Sequence, residues 1–218
     1  MYNSRENLTI LVEHRVRKVK ERQSVKPYSV PEIVNVLPRS EVGICSVVAF
    51  PHGNSSTAIK VAETKEALNA GSNEIDMVVN VGKVLSEDWG YVSREVAAVN
   101  DIVAERDCVL KVIFENVYVQ DFHIIHLCEI CSEQRVAFVK ASTGYGFVKQ
   151  VDGSYTYKGA TDHHLKLIRK HSNPSVQIAA AGGVKTLADL LRVRSLGVTR
   201  VGTTATEAIL NEAIEQLG

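Results

Sequence analysis

The sequence predicts an α/β protein of the (β/α)8 barrel class. Short apolar, β-branched runs alternate with helical stretches along the chain, which is typical of a parallel sheet covered by helices. Several of these runs are apolar throughout, as expected for strands buried on both faces. The length of 218 residues suits a trimmed form of a barrel that typically takes about 250. An open doubly wound sheet is the alternative, but no G-x-G-x-x-G motif follows the early strands.

The elements follow one another in regular order. Six strands are clear, at 44–50, 74–81, 109–114, 136–141, 176–180 and 199–202, and helices are predicted at 55–70, 91–105, 121–133, 162–170, 187–196 and 206–217. A seventh strand at 23–26 is short. An eighth could lie only near 8–12, where a helix is equally expected, so the N-terminal strand is missing or degenerate. We expect a single barrel domain over 1–218.

Composition limits the function classes. Twenty-five basic and 25 acidic residues give no net charge, so we expect neither nucleic acid nor a membrane as a partner. No apolar run approaches the roughly 20 residues that a membrane span needs. Four cysteines do not form a disulfide framework, which favours a reducing, cytoplasmic location. Cys128 and Cys131 lie in a helical stretch without a second pair, so we expect them to pack in the core and predict no metal site.

Lys140 ends a predicted strand, on the side of a barrel where active sites lie. Burial in a largely apolar barrel mouth disfavours an ammonium ion, and a free amine there could attack a carbonyl group. The alternative is an interior lysine paired with a carboxylate. Position alone favours neither.

Asp76 lies within a strand that we expect to be buried on both faces, where a carboxylate must be paired or serve the chemistry. Proton transfer next to a Schiff base is one such role. Glu74, two residues earlier, points to the same side. A structural ion pair between Asp76 and Lys111, which lies on the next strand, is an equally weighted alternative.

Glycine-rich turns follow the last two strands. Gly182 and Gly183 follow one, and Gly202, Thr203 and Thr204 follow the other. Loops at these positions of a barrel often hold a phosphate, because backbone N–H groups and a helix N-terminus can approach an anion there. The alternative is two unrelated tight turns.

Several segments together resemble the deoxyribose-phosphate aldolases, which are class I aldolases on a (β/α)8 barrel. They are VAFPHG at 48–53, NEIDMVVN at 73–80, LKVIFE at 110–115, FVKASTG at 138–144, AGGVKT at 181–186 and RVGTT at 200–204. The resemblance implies that Lys140 is the Schiff-base lysine and Asp76 the acidic partner in a proton relay. It also implies a phosphate site formed by Gly144, Gly182, Gly183, Gly202 and Thr204.

The resemblance further implies the reaction, which is reversible cleavage of 2-deoxy-D-ribose 5-phosphate into acetaldehyde and glyceraldehyde 3-phosphate. Neither a metal nor an organic cofactor is implied, and the expected partner is a small phosphorylated sugar or an aldehyde. The sequence leaves the oligomeric state open, with a homodimer as one option because barrels of this kind often pair.

The chain departs from the family pattern at three places. Ala179 stands where the family carries a second lysine, the early strand has no counterpart, and the segment 147–158 is longer than usual. A nearby cation helps to activate a nucleophilic lysine, so Lys26, at the end of the short strand, is our candidate for a compensating cation. The alternative function is a catalytically impaired barrel that binds a phosphorylated ligand or a protein.

Overall fold

The computed structural model describes residues 22–36, 42–157 and 159–217. The strands are β1 (Arg22–Val25), β2 (Gly43–Val48), β3 (Glu74–Val78), β4 (Val109–Ile113), β5 (Phe138–Lys140), β6 (Val148–Lys149), β7 (Tyr155–Thr156), β8 (Gln177–Ala181) and β9 (Val198–Gly202). The α-helices are α1 (Val30–Val36), α2 (Thr57–Asn69), α3 (Val81–Leu85), α4 (Trp89–Ala104), α5 (Asp121–Glu133), α6 (Asp162–His171), α7 (Leu187–Ser195) and α8 (Thr206–Leu217). The strand considered near 8–12 lies outside the described residues.

Seven strands form one sheet in the order β1-β2-β3-β4-β5-β8-β9. All neighbours in it pair in parallel. The order follows the chain without a reversal, whereas a doubly wound sheet reverses its strand order part-way. This topology confirms the barrel class.

The two faces of the sheet have different compositions. Ile75, Met77, Leu110 and Val112 belong to the large apolar cluster that also includes residues of the surrounding helices. The alternate residues of the same strands, Glu74, Asp76 and Lys111, are equally buried but charged. Since successive side chains of a strand point to opposite faces, the charged set lies inside the curved sheet and the apolar set lies under the helices.

Two local features differ from the sequence prediction. The strand predicted at 74–81 ends at Val78, because Asn80 caps the short helix α3 by accepting a hydrogen bond from the backbone N–H of Lys83 at 3.2 Å. The long segment after β5 contains a small hairpin, in which β6 and β7 pair antiparallel. Among the described residues, no helix is both long and apolar enough to cross a membrane.

Candidate active site

Lys140 and Asp76 meet inside the curved sheet. The Lys140 Nζ lies 2.7 Å from Asp76 Oδ2, and the side chain of Lys140 is 12% exposed while that of Asp76 is 4% exposed. Lys140 is the last residue of β5, so its amine reaches the carboxyl ends of the strands. The amine is therefore enclosed but still accessible, and it forms an ion pair with Asp76.

Lys111 holds the other oxygen of Asp76. Its Nζ lies 2.6 Å from Asp76 Oδ1 and 2.7 Å from Glu74 Oε2. Arg200 of β9 extends the network, with Nη1 at 2.7 Å from the same Glu74 oxygen. The ion pair between Asp76 and Lys111 that the sequence allowed is present, and the same carboxylate also contacts Lys140; the role of Asp76 in proton transfer stays a prediction.

The charges of the network fix the protonation of its buried members. Burial opposes the charge on Asp76, but Lys140 and Lys111 outweigh it and hold the pKa of the carboxyl group well below its usual range. Burial also opposes the charge on Lys111, but Asp76, Cys45 and Glu74 outweigh it and raise the pKa of this ammonium group. Burial, and then Asp76, raises the pKa of the Cys45 thiol to about 12. Near neutral pH, Asp76 is a carboxylate, Lys111 an ammonium ion and Cys45 a thiol.

Ala179 lies in register with Lys140 on one side and with Arg200 on the other. Its side chain is buried, so a lysine in this position would enter the same interior. The Nζ of Lys26 lies 4.6 Å from the centroid of the Phe50 ring. The described ion pairs of Asp76 are instead with Lys140 and Lys111, and the role of Lys26 as a compensating cation stays a prediction.

The glycine-rich loops predicted to bind phosphate follow β5, β8 and β9. Gly144, Gly182 and Gly183 all have positive φ angles, of 88°, 81° and 81°. The Thr203 hydroxyl donates to the carbonyl oxygen of Val184 at 2.7 Å, which ties the turn after β9 to the turn after β8. Gly202 is in register with Ala181, and Thr204 follows in the same exposed turn.

Glu115 anchors the turn that carries Gly144. It accepts hydrogen bonds from the backbone N–H of Thr143 at 3.1 Å and from the Thr143 hydroxyl. That hydroxyl in turn accepts from the backbone N–H of Tyr145 at 2.9 Å. A buried carboxylate therefore fixes the backbone next to Lys140.

Sequence reasoning missed three residues of this region. Arg200 is contiguous with the glycine turn but was not recognised as a charged group of the interior. Glu115 ends the segment 110–115 that resembles the family, and its position just after β4 is the signal that could have found it. Tyr157 lies in the long segment, and its hydroxyl approaches both Gly144 and Gly182; no periodicity marks it.

A protein-family profile matches most of the chain. The profile of the family described as "DeoC/LacD family aldolase" matches residues 28–200 of the chain. The chain belongs to this family. The resemblance read from the sequence is thereby confirmed at the level of the family.

Two curated relatives of the chain are named deoxyribose-phosphate aldolase. The one from Rhodopirellula baltica is 44% identical over 194 residues, covering 89% of this chain and 76% of the relative. The one from Treponema denticola is 39% identical over 186 residues, covering 85% and 82%. The solved structure of QR15, an aldolase, superposes with a TM-score of 0.80 at 27% identity, covering 98% of this chain and 90% of that one.

Proposed function

We propose that this aldolase-family chain cleaves 2-deoxy-D-ribose 5-phosphate reversibly into acetaldehyde and glyceraldehyde 3-phosphate, with Lys140 as the nucleophile. The observation that carries the proposal is the contact of the Lys140 amine with Asp76, 2.7 Å apart at the open end of the sheet. The curated relatives bear the name of this activity. An enclosed amine beside a carboxylate has the parts that Schiff-base chemistry needs.

The reaction begins when Lys140 gives up a proton and its amine adds to the aldehyde carbon of the open-chain sugar. Loss of water from the carbinolamine leaves an iminium ion. Removal of the proton from the C3 hydroxyl then lets the C2–C3 electron pair move toward the iminium nitrogen, which releases glyceraldehyde 3-phosphate and leaves an enamine. Protonation of the enamine carbon and hydrolysis release acetaldehyde and restore the free amine.

Asp76 is the proposed proton carrier of these steps. Its contact with Lys140 lets it receive the ammonium proton directly, while Lys111 holds the other carboxylate oxygen at 2.6 Å. The carboxylate therefore keeps its position when Lys140 loses its proton and becomes a neutral amine. We assign Lys111 a positioning role, since it touches Asp76 and Glu74.

The far end of the sugar is proposed to bind at Gly144, Gly182, Gly183, Gly202 and Thr204. The turns of these residues follow three neighbouring strands of one sheet, and positive φ angles at three of the glycines suit backbones that approach a ligand closely. Binding energy from a phosphate held there would position the reacting carbons near Lys140.

We also propose that the enzyme works in the cytoplasm without a metal or an organic cofactor, with a homodimer as one option for its oligomeric state. The reducing location is supported by the four free cysteines. The cofactor proposal is supported by the chemistry, because the iminium nitrogen itself accepts the electron pair. Sedimentation velocity tests the dimer.

Borohydride trapping tests the proposed function. We expect acetaldehyde followed by borohydride to add one ethyl group to Lys140, located by peptide mass spectrometry, and deoxyribose 5-phosphate to be cleaved. Lys140→Arg keeps the positive charge but should form no adduct. A well-folded wild-type protein that forms no adduct would instead support the impaired barrel that only binds a ligand.

A further inference from the structure

We propose that Tyr157 is a specificity-determining residue whose hydroxyl donates a hydrogen bond to the phosphate at the far end of the substrate. The proposal rests on the proposed function and assigns a new role to a residue of the long segment after β5. It would make that segment a part of the substrate site.

The Tyr157 hydroxyl lies among the loops proposed to bind phosphate. A Cβ atom added to Gly182 would lie 1.5 Å from the hydroxyl oxygen, one added to Gly159 would lie 2.9 Å away, and one added to Gly144 would lie 3.8 Å away. Tyr157 therefore packs directly on the backbone of Gly182 and approaches that of Gly144. These two glycines belong to different loops, so the hydroxyl stands between them.

The Tyr157 hydroxyl is placed to donate a hydrogen bond to a ligand. Its oxygen is buried and makes no hydrogen bond of normal geometry to the described residues. Burial raises the pKa of the phenol above its usual value and outweighs the opposite effect of the neighbouring Ser142 side chain, so the group keeps its proton. A buried hydroxyl without a well-formed hydrogen bond is costly, and a phosphate oxygen would provide one.

The hairpin holds Tyr157 in this place. Val148 pairs with Thr156, the residue before Tyr157, and the Gln150 side chain donates to the Thr156 hydroxyl at 2.7 Å. The rings of Phe147 and Tyr157 pack with centroids 5.8 Å apart. The tyrosine is thus supported from both strands of the hairpin, which leaves its hydroxyl directed at the glycine loops.

The test compares Tyr157→Phe with wild type on deoxyribose 5-phosphate and on deoxyribose without phosphate. We expect kcat/KM for the phosphorylated sugar to fall about 10-fold or more, as for loss of a hydrogen bond to a charged group. The value for deoxyribose should stay within about twofold. Tyr155→Phe is the matched control, because Tyr155 lies in the same hairpin but is 64% exposed, and we expect it to change neither value.

The role of Tyr157 would be refuted if Tyr157→Phe and wild type had the same kcat/KM for deoxyribose 5-phosphate. It would also be refuted if the variant lost kcat/KM equally for both sugars. Calorimetric titration with inorganic phosphate gives a readout that does not depend on catalysis, and Tyr157→Phe should bind phosphate about 10-fold more weakly. If wild type binds phosphate no better than the variant, the proposal is wrong. Trapping of acetaldehyde on Lys140 should be unchanged in Tyr157→Phe, so failure of trapping in wild type would refute the proposed reaction separately.

Discussion

Lys140 and Asp76 are joined by a direct contact of 2.7 Å between the ammonium nitrogen and a carboxylate oxygen. The proposed nucleophile therefore rests in contact with the group that is proposed to take its proton. Neutralising Asp76 should separate the effect of its charge from the effect of its shape.

Asp76→Asn should lower the rate of sugar cleavage by about 10²- to 10⁴-fold, the usual contribution of a general acid–base group. The amide keeps the shape but cannot accept the proton of Lys140. Steady-state cleavage assays measure the loss, and Asp101→Asn, at an exposed position of α4, should leave the rate unchanged. A rate for Asp76→Asn within about threefold of wild type would contradict the role of the carboxylate.

The same variant should change how stability depends on pH. Because the folded pKa of Asp76 is below that of an unfolded aspartate, about 3.9, ionised Asp76 stabilises the fold fully above that value. The contribution is lost as the pH falls through 3.9 toward the folded pKa. Urea unfolding should therefore show wild type more stable than Asp76→Asn at pH 7, with the difference narrowing below pH 4. A difference that stays constant from pH 7 to pH 3 would contradict this prediction.

Restoring a lysine at position 179 should have two opposite effects. Ala179→Lys places a second amine in a buried position beside Arg200 and Lys140 in the sheet register, and overpacking alone costs about 1–3 kcal/mol. The added positive charge should also favour the neutral form of Lys140, so half-maximal borohydride trapping should shift to lower pH. Thermal unfolding and trapping across pH measure the two effects. Ala179→Met controls for size, and an equal shift with methionine would show that charge is not the cause.

A buried ion pair outside the active site should be important for stability. Lys60 and Glu95 are fully buried, with Nζ and Oε2 2.9 Å apart, so Lys60→Met should cost about 3–5 kcal/mol by leaving a carboxylate unpaired. The double variant Lys60→Met/Glu95→Leu should lose less than Lys60→Met alone. Chemical denaturation measures both.

The exposed pair of Lys83 and Asp88 is the control, because it has the same 2.9 Å separation with side chains that are 40% and 42% exposed. Because solvent screens this exposed pair, Lys83→Met should lower the free energy of unfolding far less than Lys60→Met does. If Lys60→Met and Lys83→Met lowered the free energy of unfolding by similar amounts, burial would not determine how much an ion pair contributes to stability.

Gly182 and Gly183 should differ in their tolerance of alanine. Both have a φ angle of 81°, so the backbone strain of an added Cβ is the same. At Gly182 that atom would also collide with the Tyr157 hydroxyl, while at Gly183 it meets no atom of the described residues within 4 Å. Gly182→Ala should therefore lower the melting temperature more than Gly183→Ala. Tyr157→Ala in the Gly182→Ala background should recover most of the difference, and equal melting temperatures for the two single variants would refute the contact.

The sequence predicted the barrel and most of its strands because parallel strands buried on both faces have a strong apolar signature. It also predicted that Glu74 and Asp76 share a face, since strand alternation fixes it. It left open whether Asp76 forms an ion pair with Lys111 or serves proton transfer next to a Schiff base. The structure shows the ion pair together with a contact to Lys140, because each lysine binds a different oxygen of the carboxylate. The contact of Arg200 with Glu74 was invisible, since it joins residues 126 positions apart on strands that are not neighbours.

Position 179 determines whether the interior presents a second amine beside Lys140. In register with Ala179 the sheet carries the guanidinium group of Arg200, which supplies positive charge but does not form a Schiff base with a simple aldehyde. The other nearby amine, that of Lys111, is held between Asp76 and Glu74. A simple monoaldehyde entering the mouth would therefore form its Schiff base with Lys140, since position 179 offers no second amine that could compete for it.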